Sequence, residues 1–366
     1  MPPKPRRPLL LLMLGAMLCA VPASGCSVPV FRYALEHWTA APFQAFVFHR
    51  GPFTEAQQAA VRDLRPGGLA GKLHANIAVR TVDLTEDPPP ELLELFRETG
   101  GEPVPWLVVK FPASNRRNAT IWSGPLDAAG IAPLLDSPAR RKIVQRLTDG
   151  QSAVWVLLES GDASKDAAAA RRIEERLKYL ESVLELPKLE AQDIANGLVS
   201  VGQEGLRLEF SLLRLSRVDE SERGFIQMLL GAEADLDAMK APIVFPVFGQ
   251  GRALYALVGD GIKDETIEKA ATFLIGKCSC EVKEQNPGMD LLLAADWKAI
   301  VESQTAGIPD LPTMAELTKS TPETVSISAP ADDGRVEGRS YRQWIAIGVV
   351  ALIALSAISL FSRRRE

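Results

Sequence analysis

Val104-Pro-Trp-Leu-Val-Val-Lys-Phe111 is the stretch of sequence that decides the predicted fold. A proline opens it, and a short apolar run typical of a buried β-strand follows. The same arrangement returns at Ala241-Pro-Ile-Val-Phe-Pro-Val-Phe248. In each case the pattern predicts strand, helix, strand and helix before the proline, and a further strand and helix after it. The sequence therefore predicts an α/β protein built from two repeats.

In the first repeat, proline, glycine and N-cap residues separate the predicted elements. Thr54 is a good N-cap for a helix, whereas Gly100-Gly101 stops the helix that Pro88-Pro89-Pro90 starts. Besides the opening stretch, the pattern predicts strands over 44–49, 77–84 and 120–122. Helices are predicted over 55–64, 90–97, 124–135 and 140–147.

In the second repeat, the same order of elements is predicted over residues 153–276. Alternating apolar residues or short apolar runs predict strands over 153–159 and 206–216, and a hairpin of 243–248 with 254–258. Helical periodicity and caps predict helices over 164–186, 219–230 and 263–275, with a further one over 286–301.

This order, with a proline just before the third strand, resembles the thioredoxin fold twice over, across residues 43–136 and 153–276. In that family the proline follows a cis peptide bond and lies against a pair of redox-active cysteines. The resemblance implies mixed central sheets flanked by helices, and it makes Pro105 and Pro242 the candidates for structural cis-prolines.

The family's reactive dithiol is absent from both repeats. The family carries Cys-Gly-Pro-Cys after the first strand, where this chain has Arg50-Gly-Pro-Phe53 and Glu159-Ser-Gly-Asp162. Thiol–disulfide exchange requires an attacking thiolate, so neither turn can perform it. Arg50-Gly-Pro-Phe53 is interpreted either as a simple turn into a helix or as the remnant of a dithiol site.

Both ends of the chain carry targeting signals. Basic residues and an apolar run over 9–21 predict a signal peptide at residues 1–25. Residues 344–361 form an uncharged apolar run followed by an arginine cluster, which predicts one transmembrane helix and a cytoplasmic tail at 362–366. We therefore expect a membrane protein with its globular part outside the cytoplasm, in the periplasm if the source is bacterial.

Between these signals, the predicted organisation is two domains and a tether. Residues 26–150 and 151–302 are the two thioredoxin-like domains, and residues 303–343 are rich in Pro, Thr, Ser and Asp, as in flexible linkers. The segment that begins at Cys26 also resembles the start of exported bacterial membrane proteins.

Three cysteines, Cys26, Cys278 and Cys280, are the candidates for chemistry. Cys26 joined to one of the other two would make a structural disulfide, whereas Cys278 bonded to Cys280 would form a strained, easily reduced ring. The thiolates could instead bind a soft metal such as Cu(I), although their spacing is poor for zinc. Cys26 also lies in a sequence similar to a bacterial lipobox, so its lipidation is a further hypothesis.

Other classes of function have little support in the sequence. A formal net charge of −5 gives no basic face for nucleic acid. We find no motif for a cofactor and no acid–base or nucleophilic constellation, so an enzyme is not predicted. The expected function is an interaction or scaffold protein that binds another exported or membrane protein. The alternative is thiol–disulfide or copper handling through the three cysteines.

Overall fold

The computed structural model describes residues 26–68, 74–114, 119–278 and 282–305. These residues belong to one compact unit, Met1–Pro309. The fold is α/β, with two mixed sheets flanked by helices. The predicted signal peptide, transmembrane helix and cytoplasmic tail lie outside the described residues. Over the part that is described, no helix has the length and apolar character needed to cross a membrane.

The helices and strands follow the predicted order closely. The helices are α1 Val30–His37, α2 Glu55–Leu64, α3 Pro90–Glu98, α4 Ala128–Leu135, α5 Pro138–Thr148, α6 Ala163–Val183, α7 Ala191–Ala195, α8 Arg223–Leu230, α9 Asp264–Ile275 and α10 Trp297–Thr305. The strands are β1 Phe43–His49, β2 Ile77–Asp83, β3 Trp106–Lys110, β4 Thr120–Pro125, β5 Ala153–Leu158, β6 Phe210–Leu215, β7 Ile243–Phe248, β8 Arg252–Ala253, β9 Leu257–Val258 and β10 Met289–Asp290.

The two sheets share one pattern of strand order and direction. The first has the order β2-β1-β3-β4, in which β1 and β2 are parallel and β3 is antiparallel to both of its neighbours. The second has the order β10-β8-β7-β5-β6, with β5 and β6 parallel, β7 antiparallel to β5, and β9 also paired with β7. This common pattern is compatible with a tandem thioredoxin-like arrangement.

Pro105 and Pro242 occupy equivalent places but differ in peptide geometry. Each directly precedes the central antiparallel strand of its sheet, and each carbonyl accepts a backbone hydrogen bond of 2.9 Å, from Leu126 and Gly259 respectively. The Glu102–Pro103 and Val104–Pro105 peptide bonds are cis. The Ala241–Pro242 bond is trans. The expectation of a cis bond at Pro242 is therefore wrong. Trans is the lower-energy isomer for an X–Pro bond.

The predicted hairpin after β7 is interrupted in the structure. Pro246 lies in β7 and has no N–H. The N–H of Leu254 donates to the carbonyl of Pro246, but Pro246 cannot donate to the carbonyl of Leu254 in return. The strand that should have paired continuously is therefore split into β8 and β9. Other boundaries also moved, and Gly124 belongs to β4 rather than to α4. The helix predicted over 286–301 is wrong in its first part, because Met289–Asp290 form β10. Helix α10 runs from Trp297 to Thr305, into the predicted tether.

One apolar cluster joins the two sheets. It contains Val109, Phe111 and Leu134 from the first repeat and Val156 and Phe245 from the second, all of them buried. The two predicted domains therefore do not have separate cores in this region. A second cluster covers the opposite face of the second sheet, beneath α6 and α9.

The segment before β1 packs on the second sheet, although it precedes the first repeat in sequence. Val30 donates to the carbonyl of Gly276 at 3.0 Å, and Cys278 donates to that of Val28 at 2.9 Å. Trp38 packs edge-on against Phe248, with ring centroids 6.3 Å apart. The predicted domain of residues 26–150 thus begins with residues that complete the other repeat.

The segment after β10 makes the reciprocal crossing, back to the first repeat. Leu291, Leu292 and Leu293 are buried in the cluster shared by the two sheets. The amide of Asn76 donates to the carbonyls of Ala41 and Leu291 at 3.0 and 3.1 Å, and its oxygen accepts from the N–H of Leu293 at 3.1 Å. A single half-buried side chain therefore joins both terminal segments to the start of β2.

Arg140 is a second polar junction inside the shared core. It is almost fully buried, and its guanidinium donates to three backbone carbonyls, those of Pro133, Leu134 and Leu292. Burial lowers the pKa of Arg140 to about 10, against the attraction of Asp136 and Glu222. The side chain is therefore still charged at neutral pH and caps the end of α4.

Replacing Asn76 tests whether the crossing of the terminal segments holds the fold together. We expect Asn76→Ala to lower the free energy of unfolding by about 2–3 kcal/mol, because three hydrogen bonds are lost and their backbone partners stay partly buried. Urea denaturation followed by tryptophan fluorescence and by circular dichroism measures this change. Asn196→Ala, at an exposed site, is the control and should change stability by less than about 0.5 kcal/mol. Equal effects of the two substitutions would contradict the role given to Asn76.

Candidate functional site

The turn between β1 and α2 lies where the resemblance to the thioredoxin fold would put a dithiol in the first repeat. Gly51 has a φ of +67°, a left-handed conformation that side chains other than glycine rarely adopt. Thr54 and Gln57 form a reciprocal capping box, and α2 begins at Glu55. Arg50-Gly-Pro-Phe53 therefore forms the turn itself and ends just before the helix.

His49 and Asp83 lie beside this turn, at the carboxyl ends of two paired parallel strands. Nδ1 of His49 is 2.8 Å from the carbonyl oxygen of Gly51, and it lies 4.0 Å from the Asp83 carboxylate. Hydrogen bonds from the backbone and hydroxyl of Thr85 are the main causes that hold the pKa of Asp83 below its usual value. His49 also packs on Phe53, with ring centroids 4.1 Å apart. His49 and Asp83 therefore stabilise the turn.

An ion pair links the turn to the segment that leads into β3. Nη1 of Arg50 is 2.8 Å from the carboxylate of Glu102, and both side chains are more than half exposed. Beneath them is a cavity of about 480 Å³, lined by Leu84, Leu93 and Phe96 among others. The first turn thus adjoins an open, partly apolar hollow in which no thiol is placed.

The corresponding turn of the second repeat is closed by its own hydrogen bonds. The carboxylate of Asp166 accepts from the N–H and hydroxyl of Ser160 at 2.7 and 2.8 Å, and from the N–H of Gly161 at 3.0 Å. Asp162 caps α6, and hydrogen bonds from Lys165 are the main causes that lower the pKa of Asp162. Since Asp166 is buried, this turn has a structural role.

Cys26 and Cys278 are brought to the same part of the second repeat. They are 6% and 1% exposed and belong to one apolar cluster. The antiparallel bridge between Pro29 and Lys277 aligns the two segments that carry them. Cys280, the third candidate, lies outside the described residues. The proposals of a disulfide, of an exchange reaction and of a metal site at these cysteines therefore stay predictions.

The surroundings of Cys26 bear on its proposed lipidation. Both the N–H and the hydroxyl of Ser27 donate to the buried carboxylate of Asp193, at 2.6 and 2.5 Å. Because the Cys26 side chain lies in the apolar cluster, an acyl chain on its sulfur would have to displace that packing. The structure offers a packing role for Cys26 that the sequence did not reveal.

Metal binding has no further candidate among the described residues, where no group of three or more His, Cys, Asp or Glu side chains is placed to hold an ion.

One charged cluster that sequence reasoning missed is built from a buried carboxylate and two cations. Asp290 accepts from Arg252 at 3.1 Å, from Lys283 at 2.7 Å and from the N–H of Ala41 at 2.9 Å. These bonds fix β10 against the segment before β1.

A cleft that the sequence did not predict lies between the repeats. It is a cleft of about 910 Å³ between β4 on one side and, on the other, α8 with the loop that follows it. We call it the β4 cleft and define it by its lining residues, which are 119–125, Gly130, Pro133, Leu134, Glu220, Arg223, Gly224, Gln227, Leu230, Gly231, Glu233, Ala234 and Asp237. No sequence signal could have found it, because its walls come from parts of the chain that are about a hundred residues apart.

No family model and no curated protein matches this chain. The arguments about its function therefore depend on its own residues. These residues form two turns without thiols, a pair of buried cysteines and an open cleft.

The burial of Cys26 and Cys278 predicts how they react. After mild reduction of the native chain, we expect alkylation of both thiols to be at least about tenfold slower than in guanidinium, because reaction requires an exposed thiolate. Quantitative mass spectrometry of the alkylated peptides measures the ratio at each cysteine. Rapid labelling of Cys278 in the native chain would show that the segment opens, and would favour an exchange role.

Proposed function

We propose that the chain is a membrane-anchored extracytoplasmic interaction or scaffold protein whose two thioredoxin-like repeats are redox-inactive. The observation that carries this proposal is the pair of strand-to-helix turns. Each stands where the resembled family has its dithiol, and each is built without cysteine. The first is held by Arg50 and Glu102, and the second by Asp166.

The common strand pattern supports the thioredoxin-like part of the proposal. Both sheets place a parallel pair beside an antiparallel strand that a proline precedes. The prolines accept equivalent hydrogen bonds from Leu126 and Gly259. A shared fold with its reactive groups replaced fits a role in binding better than a role in catalysis.

The proposed location follows from the ends of the sequence. A cleavable signal at residues 1–25 and a stop-transfer helix at 344–361 would leave the described unit outside the cytoplasm and the arginine-rich tail inside it. The partners would then be the membrane itself, through that helix, and another exported or membrane protein. The net charge of −5 makes nucleic acid a poor ligand.

A role for the cysteines in exchange or copper binding is the second candidate. Its support is the antiparallel pairing that brings Cys26 and Cys278 into one cluster. Their burial favours a structural disulfide among the three cysteines over exchange, since a thiolate that reacts must be accessible. We therefore rank the interaction role first.

Restoring the family's motif tests the thioredoxin-like assignment. In the double variant Arg50→Cys with Phe53→Cys, we expect an intramolecular disulfide that equilibrates with glutathione, with a potential above about −300 mV because the turn is exposed. Titration in glutathione redox buffers, read by mass spectrometry, gives this potential. Arg50→Cys alone is the matched control and should form only a mixed disulfide. A double variant that behaves like the single one would contradict the assignment.

Fractionation tests the proposed topology. We expect the chain to resist alkaline carbonate but to dissolve in detergent, because an apolar helix holds it in the bilayer. Protease added from the extracytoplasmic side should digest the globular unit and spare an epitope fused after Glu366. Immunoblotting of membrane and soluble fractions measures both results. Release by carbonate, or an epitope that is digested from outside, would overturn the location.

A further inference from the structure

Strand β4 forms one of the two edges of the first sheet. In the order β2-β1-β3-β4, β4 has a neighbour on one side only. Leu126 donates to the carbonyl of Pro105, so 105 and 126 form a hydrogen-bonded pair in the antiparallel register. Hydrogen-bonded and non-hydrogen-bonded pairs alternate along such a ladder, which makes Val108 and Ser123 a non-hydrogen-bonded pair. The N–H and C=O of Ser123 therefore point away from β3.

The side to which Ser123 points is open. Ser123 is exposed and lines the β4 cleft together with the rest of β4. Its backbone groups have no hydrogen-bond partner within the described part of the chain. A volume of about 910 Å³ lies within the range of binding sites, which extends to about 1,000 Å³. The free backbone groups of Ser123 thus face this cleft.

The opposite wall of the cleft is acidic. Glu220, Glu233 and Asp237 line it and are exposed, and no described basic side chain forms an ion pair with any of the three. Arg223 is the only basic side chain among the described residues that line the cleft. Apolar surface is limited to a few side chains such as Trp122, Leu134 and Leu230. The cleft thus presents backbone donors and acceptors on one wall and excess negative charge on the other.

We propose that the β4 cleft binds an extended, basic peptide segment of a partner protein, which pairs with β4 as an added strand. Backbone hydrogen bonds to Ser123 provide affinity, and lysine or arginine side chains facing Glu220, Glu233 and Asp237 provide selectivity. This inference rests on the proposed function and specifies the surface and the class of partner for it. The sheet gains a strand beside β4, and the backbone groups of Ser123 that point away from β3 are covered.

A substitution at Ser123 tests the strand pairing. Proline at this position removes only the N–H that points into the cleft, so the ladder with β3 is kept. The probe is a short fluorescent peptide of alternating valine and lysine, added to the full-length chain in mild detergent. We expect Ser123→Pro to weaken binding at least about tenfold in fluorescence anisotropy, because strand pairing is blocked. Ser123→Ala keeps the N–H and should bind as the wild type does.

A charge exchange tests the selectivity. A matching peptide of alternating valine and glutamate should bind the wild-type chain at least about tenfold more weakly than the lysine peptide does. In the double variant Glu233→Lys with Asp237→Lys, this preference should reverse. Thermal unfolding of each variant identifies any loss of fold, and the charge variants keep the proposal testable if Ser123→Pro is unstable.

Equal binding by the Ser123→Pro and Ser123→Ala variants would overturn the strand pairing. Equal binding of both peptides, or a preference that survives the charge exchange, would overturn the acidic recognition. No binding of the lysine peptide to the wild-type chain would reject the cleft as a peptide site. The restored dithiol and the membrane fractionation would be unaffected by these results, so the failure of this inference differs from the failure of the proposed function.

Discussion

The reciprocal crossing of the two terminal segments is the constraint on which the architecture depends. Residues before β1 complete the core of the second repeat, and residues after β10 complete that of the first. A sheet of four short strands with few helices buries only a modest fraction of its surface when it is alone. Each repeat obtains the missing apolar surface from the far end of the chain, and Asn76 fastens both segments at one place. The repeats are therefore two sheets of one folding unit.

Local signals were sufficient to predict most elements of that unit. Thr54 begins a helix where a capping residue is expected, and the proline before each central strand marks its start. Contacts between distant residues were not predictable. The bonds of Arg140 to the carbonyl of Leu292, and of Asn76 to Leu291, join parts of the chain that no local pattern relates. The split after β7 has a local cause in Pro246, but its effect appears only when the pairing partner is known.

The candidate site shows the same division. The absence of a dithiol from both turns was predictable, because the sequence itself shows that no cysteine is there. The interactions that stabilise each turn could not be predicted from the sequence. The first relies on an exposed ion pair and adjoins a hollow, whereas the second uses the buried carboxylate of Asp166. The acidic wall of the β4 cleft was invisible because Glu220, Glu233 and Asp237 look like ordinary surface residues until α8 is placed opposite β4.

The pairing of Val28 with Cys278 also has a consequence for biosynthesis. A ribosome releases the chain from its N-terminus, so Val28, Phe31 and Trp38 emerge long before the segment that will cover them. Until α9 is available, these apolar side chains have no permanent place to pack, and contacts of such large sequence separation form slowly. These side chains therefore wait for their final packing partners until synthesis has reached Cys278, and their apolar surface is open to aggregation during that time.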